Sequence, residues 1–516
     1  MDFKETLASL FRPALRPHER ALENTLDAAW KAQIAEDYDS ALGLLERVLG
    51  IARSASDQAA EVVALLHKSE IYILQERYAA ADELLQAMLT GARGDTQRSY
   101  IHSGIGILAQ ARGDMSGARA AFEQAVNLAR RAASSAAEGR ALGLLAGTYL
   151  REGNASYTAH LLNDALPKLA EAGDSEHNSL FTGLLGLALI QNGQVGDGQH
   201  ALERALRVAE QAGYRIYERR WGQVLGDRAL DEGRYPEAYS FYSHVLRLFP
   251  PGTASPEYVS AVTQISKASL TLHKADEGLA HAETALRAAE SLDDPALISR
   301  AQGAYGVALR AVGRSSEAIP HLQASVQGDW HVLRSLAAAQ ADSGDSDGAI
   351  ATCQRAIQEA QKADKPLEVA QARRDLGLVY LARKDYPAAV GEWTAALAIY
   401  DDAHAYSQVA RLHCDIGSAR KQLGQRARAM KDYEQALMAL NALDSGDQAT
   451  RGLVLSNAAN AYAEQGDAES ADAFFTEAIV IAERLGDAVA ESTRNGNYGW
   501  FLLLIGRPRR AITTLE

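Results

Sequence analysis

One sequence feature constrains this chain more than any other: the same surroundings return about every forty residues. Taking Gly466 as the reference, they recur at Glu36, Glu76, Gly113, Gly153, Gly193, Gly233, His273, Gly313, Gly344, Lys384, Gly424 and Gly506. The steps are 40, 37, then 40 five times, then 31, 40, 40, 42 and 40 residues, and nine of the thirteen reference positions are glycine. Seven residues before each reference stands Ala29, Ser69, Gly106, Ala146, Gly186, Gly226, Ser266, Gly306, Ala337, Gly377, Gly417, Ala459 or Gly499, all of them small. Five residues after it, ten of thirteen residues are alanine, from Ala41 to Ala511; twelve after it, eight of twelve are alanine, from Ala125 to Ala478.

Each column has a physical reading. A glycine past the end of a helix takes a left-handed conformation that costs other residues about 1 kcal/mol. A second helix then folds back antiparallel, and small residues on both sides of the turn let the two backbones approach. Such a pair cannot bury its apolar face alone, so it must stack on its neighbours. The composition agrees with an all-helical chain: alanine and leucine dominate, there are only 12 prolines, and 47% of residues are hydrophobic. The chain is therefore expected to be one long stack rather than the three or four ordinary domains that its 516 residues would suggest.

In its order of small residue, glycine turn, alanine and alanine, the pattern resembles the tetratricopeptide repeat. The resemblance covers nearly the whole chain. It departs from the common repeat in length, 40 residues against about 34, and in lacking the closing proline. Stretches such as AERLGD (482–487) and GEWTAALAIYDDA (391–403) are similar to the long repeats of kinesin light chain, Pins-type spindle adaptors and the ligand-sensing arms of bacterial transcription regulators. The implied fold is an all-α, right-handed superhelical solenoid of about thirteen antiparallel helix pairs. Residues 1–19 would cap it, with Phe3, Leu7, Leu10 and Phe11 on one helical face. Residues 20–328 would hold repeats 1–8, and 329–516 repeats 9–13, the last incomplete. The step from Gly313 to Gly344 is nine residues short, so the superhelix is expected to break near 325–333. The chain stops in the last second helix, at Glu516, so the natural protein is expected to continue or to be cut there.

Several function classes do not fit. The net charge is −14, without the basic stripe that nucleic-acid binding needs. No window of eighteen uninterrupted apolar residues suggests a membrane span. The two cysteines, Cys353 and Cys414, are far apart in sequence, and no secretory leader is visible; both point to the cytoplasm. The chain has no HExxH, GxxxxGK[ST], GxSxG or GxGxxG in a fitting context, so no catalytic residue, cofactor or enzymatic activity is expected. No metal site is expected either. His404 and His413 are nine residues apart, half a turn out of phase. His160 with His200, and His281 with His321, make pairs without a third ligand.

The resemblance implies that the first helix of each pair lines a concave groove. The column two residues before the small position is mostly apolar or small from Gly104 to Ala304, then polar throughout: Ser335, Asp375, Asp415, Asn457 and Asn497. Arg334 and Arg374 stand one place earlier, where Gly143, Gly183 and Gly303 stand in other repeats, and Arg411 lies nearby. Asn457 and Asn460 flank Ala459 in the N-x-small-N manner of peptide-binding long repeats. Amides at these positions would either hold a ligand backbone or bridge neighbouring helices. The carboxylate clamp of chaperone-tail receptors does not fit, because its lysine positions hold Cys414 and Thr493. The expected function is a protein-interaction scaffold that takes an extended peptide segment or a partner protein in its concave groove, where the C-terminal arginines would meet acidic side chains. Its site would be Asn457, Asn460, Asn497, Arg334, Arg374, Arg411, Asp375 and Asp415. A regulatory arm of a larger enzyme or transcription regulator, with an effector beyond residue 516, is the alternative.

Overall fold

A computed structural model describes residues 20–34, 37–325, 330–442 and 447–515. Among them are twenty-six α-helices and no strand, joined as thirteen consecutive pairs. The expected solenoid of helix pairs is the fold. Contacts divide the chain into two units, Met1–Pro251 and Gly252–Glu516. The first holds six pairs, from Arg20–Ile34 with Tyr38–Ser54 to Arg215–Asp231 with Tyr235–Arg247. The second holds seven, from Pro256–Thr271 with Ala275–Ser291 to Ala488–Leu504 with Pro508–Leu515. Residues 1–19, where the cap was expected, and the reference residue Glu36 lie outside the described residues.

The turns follow the sequence columns closely. All twelve described reference positions have positive φ: nine are glycines, and Glu76, His273 and Lys384 hold the same conformation at 58°, 59° and 61°. The next residue is often aspartate or asparagine, which caps the second helix. Asp114 accepts the Gly117 amide at 2.8 Å, Asn154 that of Tyr157, Asp345 that of Gly348 and Asp467 that of Ser470. One left-handed residue and one capping side chain thus reverse the chain in two residues.

The small column is the floor on which each second helix lies. A Cβ added to Gly106 would stand 2.5 Å from the Phe122 ring, and at Gly226, Gly377 and Gly417 it would press on Tyr242, Trp393 and Tyr433. The pressing residue always comes nine positions after the reference: Phe122, Leu162, Leu202, Tyr242, Leu322, Trp393, Tyr433 and Phe475, each essentially fully buried. The alanines of the other two columns are buried as well, Ala118, Ala125, Ala389 and Ala396 at 0% exposure.

The two units differ on their first-helix side. In the first unit a large core runs from Leu66 to Leu225 beside a smaller one between Leu22 and Ile71, and in the helix Ser175–Gln191 every residue from Glu176 to Leu184 is buried. In the second unit the core falls into smaller clusters between neighbouring pairs, and polar first-helix residues stay partly exposed. The short step lies in this second unit. The two helices on either side of it, Ser315–Ser325 and Trp330–Asp342, are described over 11 and 13 residues, and residues 326–329 between them lie outside the described residues.

Candidate binding groove

Three successive first helices of the second unit, Trp330–Asp342, Pro366–Ala382 and Tyr406–Gln422, carry the arginines and aspartates singled out in the sequence. Each is 17 residues or fewer and repeats at 40, so residues 41 apart lie diagonally on adjacent helices. Arg334 and Asp375 use this diagonal: the guanidinium Nε donates to the carboxylate at 2.6 Å. Beside them opens a cavity of about 500 Å³, lined by Arg310, His331, Arg334, Asp342, Cys353 and Asp375 among others. Its other wall is a second such pair, Arg310 Nε to Asp342 at 2.9 Å.

One repeat further on, Arg374 and Asp415 occupy the equivalent diagonal, yet no bond joins them. Arg374 Nε and Asp415 Oδ2 are both buried and both lack a hydrogen-bond partner. Burial pushes the Asp415 carboxyl above its ordinary range, against the pull of Arg374 and Arg411. Buried polar atoms are nearly always satisfied in native interiors. Among the described residues nine such side-chain atoms lack an aligned hydrogen bond, and five of them, on Trp330, Glu368, Arg374, His413 and Asp415, fall within this stretch of 86 residues; His413 Nδ1 does lie 3.5 Å from the Asp432 carboxylate. Unmet hydrogen-bonding capacity is therefore concentrated along these first helices.

The remaining candidates are more committed to the fold. Arg411 reaches Thr450 Oγ1 at 3.4 Å, and Thr450 is held in turn by Asp447 at 2.6 Å. Asn457 donates its amide to the Cys414 thiol at 3.2 Å, across to the preceding pair, which is a contact of the bridging kind. Asn460 donates to the carbonyl of Ser456 in its own helix at 3.0 Å. Asn497 is partly exposed on the last first helix. Burial pushes both thiols, Cys353 and Cys414, up to about 12, so each stays protonated and unreactive at neutral pH. Sequence reasoning passed over Trp500, which occupies in the last repeat the place of Asn460 and is 65% exposed. Its column, one residue after the small position, was the available signal.

In the first unit the equivalent helices bury charge instead. Asp174 accepts from Arg140 Nε at 2.6 Å and lies 2.9 Å from His177 Nδ1. Burial acts to raise its carboxyl, but His177 and Arg140 outweigh it and hold the group well below the usual carboxylate range. Glu70, fully buried beside His67 and Gln33, is pushed the other way by desolvation.

Two segments match the tetratricopeptide repeat family, residues 410–439 and 453–485. These helix pairs are tetratricopeptide repeats. They are the pairs that carry Arg411, Asp415, Asn457 and Asn460, and the same columns run through the other pairs. Solved structures with a similar fold include the apo form of the quorum sensor NprR from B. thuringiensis, at 15% identity and a TM-score of 0.42, over 66% of this chain and 99% of that one. The Cut9–Hcn1 hetero-tetramer of the APC/C matches at 13% identity and 0.40, over 99% and 96%. The apo form of RapI matches at 12% and 0.43, over 52% and 99%. No curated protein matches the sequence. No helix among the described residues is long and apolar enough to cross a membrane.

Proposed function

We propose that the second unit is a non-enzymatic scaffold that takes an extended peptide segment of a partner protein against its C-terminal first helices, within residues 329–516. The observation that supports this is the open diagonal: Arg374 Nε and Asp415 Oδ2 are buried without partners, where the equivalent Arg334 and Asp375 bond each other at 2.6 Å. Both atoms are shielded as they stand, so a segment would meet them as these side chains turn outward; a peptide unit then offers what both lack, a carbonyl to accept from the guanidinium and an N–H to donate to the carboxylate. Arg334, Arg374 and Arg411 suit acidic side chains of the same segment, because a guanidinium grips a carboxylate with two parallel bonds. Asn457, Asn460, Asn497 and Asp375 complete the proposed site.

The experiment is capture of partners with the intact chain as bait, beside the Arg374→Ala/Asp415→Ala double variant, followed by mass spectrometry. Helical content by circular dichroism controls for folding. The reading expects at least one protein to be retained by the wild type and lost from the folded double variant. Identical capture by the two baits would set the reading aside.

A further inference from the structure

A second site lies in the first unit, where three helices meet at one end. Glu210 is in the last turn of Val195–Ala212, Glu218 in the first turn of Arg215–Asp231, and His244 in the last turn of Tyr235–Arg247. His244 Nε2 lies 3.0 Å from Glu218 Oε1 and 3.6 Å from Glu210 Oε1. All three donor atoms fall within 4.8 Å of one another, a group of three found among the described residues. Glu218 is nine-tenths buried. His244 Nε2 is itself shielded from solvent, yet no aligned hydrogen bond satisfies it.

Comparison with the other turns shows what is odd here. Glu210 and Glu218 come 17 and 25 residues after the reference Gly193. At the same two places after Glu36 and Gly113 stand Arg53 with Glu61 and Arg130 with Glu138, and each of those pairs closes its turn with an ion pair of 2.8 Å. At Gly193 a glutamate stands where those two turns have the arginine, so two carboxylates converge there. Gly466 also has glutamates at both places, Glu483 and Glu491, but among the described residues only at Gly193 is a histidine found with them. Glu210 also sits at a helix C-terminus, the end that disfavours negative charge and favours a cation. One imidazole proton serves one carboxylate at a time. The geometry asks for a positive centre between the three groups.

We propose that Glu210, Glu218 and His244 bind a divalent transition-metal cation of the zinc type, with water completing its shell. One imidazole nitrogen and two carboxylate oxygens form a donor set for such ions. Around a tetrahedral zinc with bonds of about 2.0–2.2 Å, donors stand roughly 3.4 Å apart, close to the 3.0 and 3.6 Å that separate His244 Nε2 from the two carboxylates. The ion would tie three consecutive helices together at a turn that otherwise repels itself.

The test uses the full chain, stripped with chelator, dialysed and titrated with ZnCl2 by calorimetry, with thermal melting read in parallel. The wild type is expected to bind one equivalent through this site and to melt higher with it. His244→Ala should weaken that binding by at least about tenfold, the scale at which even outer-shell changes act. Glu210→Arg gives this turn the charge pattern of the turns after Glu36 and Gly113, so it should melt higher than the metal-free wild type and show no zinc-dependent shift. Because that variant is expected to gain stability, its result does not depend on a damaged fold. Equal zinc responses in the wild type and both variants, or none in the wild type, would overturn the proposal.

Discussion

Lys384 carries a Cβ in a left-handed turn at φ 61°, where nine equivalent positions have glycine. A residue with a Cβ gives up roughly 1–2 kcal/mol in that region, and glycine returns part of it through its floppier unfolded chain. Lys384→Gly is therefore expected to stabilise by about 0.5–1 kcal/mol, and Gly466→Ala to destabilise by about 1 kcal/mol, read as opposite shifts of the urea midpoint. Glu70 is a second residue-scale case. Burial raises its folded-state value above 4.5, its ordinary one. The stability it supports is thus complete below its unfolded value and lost as pH rises through the folded one. Glu70→Gln should melt higher than the wild type at neutral pH, with the gap closing as pH falls towards 4.5. A gap that widens on acidification would mean that His67 and Gln33 hold a stable carboxylate there. For Asp174 the sign is reversed: its folded value is depressed, so its contribution is present at neutral pH and is lost only in strong acid.

Within a helix pair, the sequence made the small columns legible because one residue class fills them throughout. It hid their counterpart, the position nine after the reference, which holds leucine, phenylalanine, tyrosine, tryptophan, cysteine and alanine in different repeats. Its identity follows the room left by the small residue rather than any fixed pattern. Gly377 faces Trp393 and Ala146 faces Leu162 at equivalent places, and a Cβ on Gly377 would stand 2.2 Å from Trp393 Nε1. Gly377→Ala is expected to cost about 1–3 kcal/mol by overpacking and to disturb the 3.0 Å bond from Trp393 Nε1 to the Arg374 carbonyl. Adding Trp393→Leu recreates the Ala–Leu pairing found at Ala146. The double variant should therefore be more stable than the sum of the two single losses, a coupling that denaturation of all four proteins measures. Additive losses would show that size matching between these columns does not govern the packing.

Across the whole molecule, the repeat columns singled out the acidic and basic residues of the candidate site, and a period of forty places residues 41 apart on one diagonal of adjacent first helices. That Arg334 faces Asp375, and Arg374 faces Asp415, on this diagonal emerged only from the structure. Spacing could not tell that the first pair closes while the second stays open, nor that Asn457 turns its amide to Cys414. Those outcomes depend on side-chain rotamers and on neighbours that no column records. The convergence of Glu210, Glu218 and His244 was hidden for another reason: it joins three helices at places that different repeats fill with different residue types. The groove account is tested most directly by calorimetric titration of the captured partner segment, as a synthetic peptide, into wild type, Arg374→Ala and Asp415→Ala. Each substitution removes a charge-assisted bond of about 1.5–3 kcal/mol, so each should weaken binding by roughly ten- to hundredfold while the fold is kept. A peptide that binds both variants as tightly as the wild type would contradict the account.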